Sequence, residues 1–125
     1  MPNESYLEED ELKKILKEYL ERDNWTVTVA WGKKRGIDID AKKGKHRWII
    51  EAKGCGSLSP MRVNYFISGL GELLQHMDDY DAKYSLAVPD IEQFKKLWEK
   101  LPDLAKERIK ISCLFVDTNG NILEK

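Results

Sequence analysis

The stretch Gly36–Gly54, GIDIDAKKGKHRWIIEAKG, predicts a tight β-hairpin and decides the fold. Two extended runs flank a glycine-containing turn, and side chains two residues apart on a strand share one face. The first run therefore presents Asp38, and the second run presents Glu51 and Lys53 together. We expect all three side chains to lie on the same face of the hairpin.

Gly44 sets the register of this hairpin, because a two-residue turn needs a residue at positive φ. If Lys43 and Gly44 form the turn, Glu51 lies diagonally across from Asp38. If Gly44 and Lys45 form the turn, Asp38 and Glu51 face each other directly. Both registers keep the two carboxylates within reach of one another.

Two carboxylates that face each other across a sheet repel, and a divalent cation between them removes the conflict. Hard oxygen ligands suit Mg²⁺, or Mn²⁺ in its place, with water and phosphate oxygens completing the coordination. Lys53 beside Asp38 and Glu51 would orient or help to deprotonate an attacking water and would neutralise developing charge. The pattern predicts metal-assisted phosphodiester hydrolysis, with Asp38 and Glu51 as the metal ligands.

Asp38, followed by Glu51-Ala52-Lys53, resembles the signature of the PD-(D/E)xK superfamily of restriction-endonuclease-like nucleases. That superfamily includes Holliday-junction resolvases and RecB-type nuclease domains. At the level of the motif, the resemblance covers residues 36–54. It implies a restriction-endonuclease-like α/β fold with an αβββαβ core. It also implies a nuclease that depends on Mg²⁺ or Mn²⁺ and acts on DNA, with RNA as the alternative to DNA.

The hydrophobic patterns along the chain predict the element order of that core, so the resemblance extends to most of the chain. We expect a mixed central sheet flanked by helices, with an extra helix and strand at the C-terminal end. The predicted elements are a helix over 5–22 with Ser5 as N-cap, strands over 25–31, 36–42 and 46–53, a flexible connection over 54–60, a helix over 61–79 opening near Ser59 as N-cap and Pro60, a strand over 84–88, a helix over 91–101, a short helical turn over 103–108, a strand over 109–116 and a last strand at 122–123.

The resemblance also implies two further site residues on helices. The superfamily often takes a carboxylate from the first helix, where Glu8 and Glu9 both share a face with apolar residues, and we favour Glu9. RecB-type members carry a glutamine on the helix after the Glu-x-Lys strand, which Gln75 resembles. Tyr80, however, comes one position later than the tyrosine of their pattern. Solvated first-turn acids and polar packing at Gln75 are the structural alternatives.

The region around the hairpin is basic although the whole chain is not. The net charge is −1, but residues 31–54 carry eight Lys and Arg against three acids. A local patch is sufficient for contacts with phosphate. We predict nucleic-acid contacts by Lys33, Lys34 and Arg35 before the hairpin and by Arg62 and Asn64 after it. Solvation of the hairpin and capping of the following helix are the alternative roles.

Length and composition predict a single domain over residues 1–125. No apolar run reaches the roughly 18 residues of a membrane span, and the N-terminus lacks the pattern of a signal peptide. Cys55 and Cys113 have neither metal-ligand spacing nor the pattern of a disulfide framework. We therefore expect a cytoplasmic protein with reduced thiols and no membrane association.

One face of the predicted second helix favours self-association. Asn64, Ser68, Gly71 and Gln75 fall on this face, and its small residues would let another backbone come close. Gly71 costs up to about 1 kcal/mol relative to alanine in a helix, which indicates a packing role. We predict a homodimer in which this helix meets its two-fold mate. The alternative is that the face packs inside the chain, beneath the site, with Gln75 near the metal.

Two classes of function remain open from the sequence. The first is a DNA nuclease that is structure-directed or weakly sequence-specific, because 125 residues leave little room for a sequence-reading domain. The second is a catalytically inactive module on the same fold that binds nucleic acid or a protein partner. The near-neutral net charge and the acidic residues 1–24, with eight acids against four bases, favour the second class.

Overall fold

In the computed structural model, which describes residues 6–125, six strands form one mixed sheet with helices on both of its faces. The elements are α1 (Glu9–Arg22), β1 (Thr26–Val29), β2 (Ile39–Lys43), β3 (His46–Ala52), α2 (Ser59–Gln75), β4 (Ala82–Pro89), α3 (Glu92–Glu99), α4 (Asp103–Ile109), β5 (Ile111–Val116) and β6 (Ile122–Glu124). The strands follow one another across the sheet in chain order. β4 pairs in parallel with β3 and with β5, and the other neighbouring strands are antiparallel.

The predicted α/β class, with a mixed sheet flanked by helices, is confirmed. The observed elements follow the predicted order, although the C-terminal addition contains two helices, α3 and α4, and two strands, β5 and β6. Parallel strands need a crossover connection, which α2 supplies between β3 and β4 and which α3 and α4 supply between β4 and β5.

The start of α1 differs from the prediction. The helix begins at Glu9, and Glu8 occupies the N-cap position. Glu8 and Glu11 form a reciprocal capping box, in which the Glu8 N–H donates to Glu11 Oε1 at 3.0 Å. This pair fixes the first turn three residues later than expected, and the predicted cap, Ser5, lies outside the described residues.

The limits of α2 also differ from the prediction. Ser59 is the first helical residue and not the N-cap, a position that the extended residue Leu58 occupies. Pro60 stands in the first turn, where its missing N–H has no helical acceptor to lose. The helix ends at Gln75, four residues earlier than expected.

The hairpin between β2 and β3 closes with a two-residue turn after Lys43. Lys43 pairs with His46, and Gly44 between them has a φ of 60°. The same register, continued one residue beyond the start of β2, brings Asp38 opposite Glu51. Of the two registers that the sequence allowed, the structure therefore has the one in which the carboxylates face each other directly.

Each face of the sheet buries its own apolar cluster. α1 covers one face with Leu12, Leu16 and Leu20, while α2 and α3 cover the other face with side chains that include Phe66 and Phe94. β3, β4 and β5 are covered on both faces, so their sequences are nearly continuous apolar runs with little alternation. The buried centre of the sheet thus supplies a rigid support for the residues at the ends of β2 and β3.

The first two residues of the connection after β3 are packed against α1, so the prediction of a flexible segment is wrong for Gly54 and Cys55, while residues 57–60 are exposed. Gly54 and Cys55 are buried, and the Cys55 N–H donates to the Leu7 carbonyl at 3.0 Å. A Cβ atom on Gly54 would lie 2.5 Å from the backbone nitrogen of Glu9, a separation that no side chain tolerates. Glycine is required here because the first turn of α1 contacts the end of β3.

No helix among residues 6–125 combines the length and the apolarity needed to cross a bilayer.

Cys55 and Cys113 are both buried thiols. Burial raises the pKa of the Cys113 thiol, which disfavours the reactive thiolate.

Gly69 and Gly71 lie on opposite sides of α2. A Cβ atom on Gly69 would lie 2.7 Å from Leu86 Cδ1 and 3.1 Å from Lys53 Cγ. A Cβ atom on Gly71, by contrast, would have no atom of the described residues within 4 Å, and the residue is exposed. The alternative in which Gly71 packs inside the chain is therefore wrong, since the close internal contact belongs to Gly69. The homodimer stays a prediction.

These two glycines provide a matched test of α2 packing. We expect Gly71→Ala to raise the free energy of unfolding by up to about 1 kcal/mol, because alanine is the better helix former. Gly69→Ala has the same gain in helix propensity, but its methyl group must displace the buried Leu86 methyl group and the aliphatic part of the Lys53 side chain. We expect it to be at least about 1 kcal/mol less stable than Gly71→Ala in urea denaturation. Equal stability of the two variants would show that α2 moves aside without cost.

Candidate active site

A cavity of about 380 Å³ opens where the start of α1, the Asp38 end of the β2–β3 hairpin and the second half of α2 meet. A larger depression of about 670 Å³ lies at the start of β4 and β5, away from these residues. The smaller cavity is lined by all the residues predicted as catalytic and by three predicted nucleic-acid contacts: Glu9, Asp38, Glu51, Lys53, Gln75, Lys33, Lys34 and Arg35.

Asp38 lies just before β2 and is held on two sides. Its Oδ2 atom accepts a hydrogen bond from the Ala52 N–H at 2.9 Å, which ties it to the end of β3. Its Oδ1 atom lies 3.5 Å from Lys13 Nζ. Only 8% of the residue is exposed. The carboxylate is therefore pre-positioned, with one neighbouring cation already supplied by the protein.

Glu51 is the most perturbed acid of the site. It is 2% exposed and faces Asp38, with Glu72 also close by. Burial, followed by hydrogen bonding to Asp38 and Glu72 and by their negative charge, raises the pKa of the Glu51 carboxyl from 4.5 to about 10. Glu51 therefore keeps its proton at neutral pH, and its O–H can donate a hydrogen bond to a neighbouring carboxylate.

Glu72 of α2 is a site residue that the sequence analysis missed. Its Oε1 atom pairs with Lys53 Nζ at 2.9 Å. Burial lowers the pKa of Lys53, but Glu72, Glu51 and Glu9 together raise it above its usual value. Hydrogen bonding to Glu51, and then to Lys53, lowers the pKa of Glu72. Glu72 is the one acid in the sequence of α2, and this isolation on a helix with few charges was the signal available.

Lys13 of α1 is the second site residue that the sequence analysis missed. Its side chain is 1% exposed, and Nζ donates to the Ala30 carbonyl at 2.6 Å and pairs with Glu9 Oε2 at 2.9 Å. Lys13 precedes Leu16 and Leu20 by three and seven residues, so it belongs to the buried stripe of the helix. The signal available in the sequence was a lysine at a position of the helix where the other residues are apolar.

The two candidate acids of the first helix have different roles. Glu9 lines the cavity and reaches Lys13 and the surroundings of Lys53. Glu8 is exposed and caps the helix together with Glu11. Of the two, the structure brings Glu9 to the site. Its predicted catalytic role, like that of the exposed Gln75 at the rim, stays a prediction.

The predicted nucleic-acid contacts divide into two groups. Lys33, Lys34 and Arg35 are exposed at the cavity. Arg62 is turned to other partners: its Nε donates to the Cys55 carbonyl at 3.2 Å, and its guanidinium lies over the Tyr6 ring at 5.2 Å. The exposed Asn64 lies farther along α2. The loop before the hairpin is therefore the basic part of the site, and the roles of Arg62 and Asn64 stay predictions.

The chemistry of these donors fits a divalent cation. Within residues 6–125, no group of three or more His, Cys, Asp and Glu side chains has the arrangement of a metal centre, so a cation held by Asp38 and Glu51 would take its remaining ligands from water or substrate. Three carboxyl groups nevertheless meet at Glu51, and burial makes their mutual repulsion costly. A proton relieves that repulsion in the metal-free chain, and a divalent cation would relieve it more completely.

Two solved structures have a similar fold. One is an XisH family protein from Nostoc punctiforme, with a TM-score of 0.61, 20% identity, and coverage of 91% of this chain and 97% of that chain. The other is an fdxN element excision controlling factor protein from Anabaena variabilis, with a TM-score of 0.61, 20% identity, and coverage of 91% and 96%. This likeness shows a shared α/β fold. No family model and no curated protein matches the sequence.

The raised pKa of Glu51 predicts a pH-dependent stability. The folded chain keeps this proton to a higher pH than the unfolded chain, so the stabilisation is complete below pH 4.5 and is lost as the pH rises toward the folded value. The loss amounts to at most about 1.4 kcal/mol per pH unit. Glu51→Gln has no proton to lose. Without divalent ions, we expect its stability advantage over the wild type to grow between pH 5 and pH 8 in urea denaturation.

Glu51→Gln also changes the net charge of the chain, and a neutral substitution on α1, away from the cavity, controls for that change. Glu18→Gln, on the exposed side of the helix, should follow the wild-type dependence on pH. If the Glu51→Gln and wild-type curves run parallel between pH 5 and pH 8, Glu51 does not hold a proton in the folded chain.

Proposed function

We propose that this protein is a divalent-metal-dependent nuclease that hydrolyses phosphodiester bonds of DNA. The observation that carries the proposal is the direct opposition of Asp38 and Glu51, with Lys53 in the same cavity. The resemblance of Asp38 and Glu51-Ala52-Lys53 to the PD-(D/E)xK signature supports it, as does the order of elements. Within this proposal, the α/β fold is a restriction-endonuclease-like fold.

Asp38 and Glu51 would hold Mg²⁺, or Mn²⁺ in its place. The bound ion supplies a Lewis acid that polarises the phosphate and lowers the pKa of water. The Asp38 carboxylate is held in place by the Ala52 N–H and by Lys13, whereas Glu51 must give up its proton when the metal binds. Metal binding by this pair is therefore expected to strengthen as the pH rises.

Lys53 acts as a cation in this scheme. Its pKa lies above the usual value for a lysine, so the ammonium form dominates at neutral pH. A charged ammonium orients water and offsets the negative charge that develops on the phosphate, but it does not remove a proton. Glu72 fixes the position of Lys53 through the 2.9 Å ion pair.

Lys33, Lys34 and Arg35 would contact the phosphates that flank the cleaved bond. Phosphate contacts position a nucleic acid without reading its sequence, which favours structure-directed or weakly sequence-specific cleavage. The short length of the chain favours the same conclusion.

A catalytically inactive module on this fold, which binds nucleic acid or a protein partner, is the second candidate. The observation that favours it is the ion pair of Lys53 with Glu72, which engages the one lysine that the chemistry needs. In addition, one structural neighbour is named an excision controlling factor, a name that states control and not cleavage.

Cleavage of a labelled DNA with Mg²⁺ separates the two candidates. We expect Asp38→Asn to abolish cleavage, because the variant loses a charged metal ligand, and we expect Lys53→Met to lower the rate by at least about a hundredfold. Branched, single-stranded and duplex substrates are tested side by side, with EDTA as the blank.

Asp40→Asn is the matched control for these variants. Asp40 lies in the same hairpin, but its carboxylate is bound by Arg47 through bonds of 3.0 and 2.7 Å. We expect this variant to cleave at the wild-type rate after correction for its folded fraction. Equal rates for the wild type, Asp38→Asn and Lys53→Met would reject the nuclease assignment and leave the inactive module.

The exposed face of α2 supports a homodimer, which we propose as the assembly of this chain. Val63, Ile67 and Leu74 are 39%, 60% and 45% exposed on this face, and Gly71 between them is open to close approach. Residues 63–71 carry no charge, although a third of the chain is charged. A neutral apolar patch can meet its own copy across a two-fold axis without like-charge repulsion.

Light scattering on two charge substitutions tests this assembly. Ile67→Asp places a carboxylate in the proposed contact, and we expect it to convert a dimer to monomers while the fold is kept. Leu104 on α4 is 57% exposed and serves as the control, because Leu104→Asp makes the same change on a different surface. A monomeric wild type at micromolar concentration, or dissociation by both variants, would reject the α2 contact.

A further inference from the structure

We propose that Lys13 is a resident cation of the site and limits it to one divalent ion. The inference rests on the metal site of the proposed function and adds a role for a lysine that neither the signature nor the comparisons assign. Lys13 lies on the α1 side of Asp38, while Glu51 lies across the hairpin. Its ammonium therefore occupies the flank of Asp38 on which a second cation would bind.

The contacts of Lys13 hold this ammonium in place. Nζ lies 2.6 Å from the Ala30 carbonyl oxygen, 2.9 Å from Glu9 Oε2 and 3.5 Å from Asp38 Oδ1. Asp10 is also near, at 3.8 Å, although its carboxylate accepts bonds from the Gly32 N–H. The Lys13 side chain is only 1% exposed, so the protein shields its ammonium group from solvent. A cation fixed in this way acts as a permanent part of the site.

Burial makes the choice of lysine informative. A buried ammonium is expensive unless it is paired, and an apolar side chain of similar length would fill the same space at lower cost. The neighbouring residues of the stripe, Leu12, Leu16 and Leu20, are all apolar. The charge of Lys13 therefore serves the carboxylates that it faces, namely Glu9 and Asp38.

The balance of charge among the acids and lysines around Asp38 and Glu51 favours one divalent ion. Four carboxyl groups, those of Glu9, Asp38, Glu51 and Glu72, meet the ammonium groups of Lys13 and Lys53. With all four acids ionised, these six groups carry a net charge of minus two, which a single divalent ion neutralises. A second ion would leave these six groups with an excess of two positive charges, next to the exposed Lys33, Lys34 and Arg35 that also line the cavity.

The same arrangement redefines the acid of the first helix. Glu9 Oε2 is bound to Lys13 at 2.9 Å, so the charge of this carboxylate offsets that of the resident cation. Glu9 is then a positioning residue that acts through Lys13. Asp38 and Glu51 remain as the metal ligands.

Titration with Mn²⁺, followed by electron paramagnetic resonance, counts the bound ions without any assay of cleavage. We expect one Mn²⁺ per wild-type chain, with the spectrum of an isolated ion. We expect Lys13→Gln, which removes the charge but keeps a donor for the Ala30 carbonyl, to bind two. Lys13→Met serves as the second neutral variant if the first does not fold. Circular dichroism establishes that each variant is folded before the titration.

Lys17→Gln is the matched control, because Lys17 lies one turn further along α1 and pairs with Glu21 at 2.7 Å, away from the cavity. It should bind one Mn²⁺, like the wild type. Two ions on the wild type, or one ion on a folded Lys13→Gln or Lys13→Met chain, would overturn the role of Lys13 and leave the nuclease proposal in place. A wild type that binds no Mn²⁺ would reject the metal site itself, and both proposals with it.

Discussion

Two carboxyl groups that face each other across a buried hairpin set the constraint around which this molecule is built. Asp38 and Glu51 come together because the turn at Gly44 fixes the register, and the sheet that buries them removes the water that would screen their charges. The surrounding groups reduce this repulsion: the Ala52 N–H and Lys13 act on Asp38, and a proton remains on Glu51.

The sequence determined the parts of the fold and of the site that depend on local pattern. The hairpin, the order of elements and the placement of Asp38, Glu51 and Lys53 follow from spacing within a few residues. Lys13 and Glu72 were missed because their roles depend on how α1 and α2 pack against the sheet. A charged residue in a helix is expected to be solvated until the tertiary contacts are known.

The same limit explains the glycine assignments that were wrong. The alternative in which Gly71 packs inside the chain is wrong, because it is Gly69 on the other side of the helix that meets Leu86 and Lys53. Gly54 was assigned to a flexible connection, although the backbone of α1 lies against it. Some glycines are needed for backbone flexibility, and others are needed because a neighbouring atom comes too close for a Cβ atom. The sequence does not distinguish the two kinds, because both lack a side chain.

The contact at Gly54 also bears on how distant relatives of this chain can be recognised. The residue after Glu51-Ala52-Lys53 has no side-chain chemistry to contribute, yet it decides how near the first helix can come to the end of β3. A chain with any larger residue at that position must hold its first helix farther away, by about the width of a methyl group. A search pattern that combines Glu-x-Lys-Gly with Glu-x-x-x-Lys in the preceding helix would therefore find chains that share this close approach of the first helix as well as the charged residues.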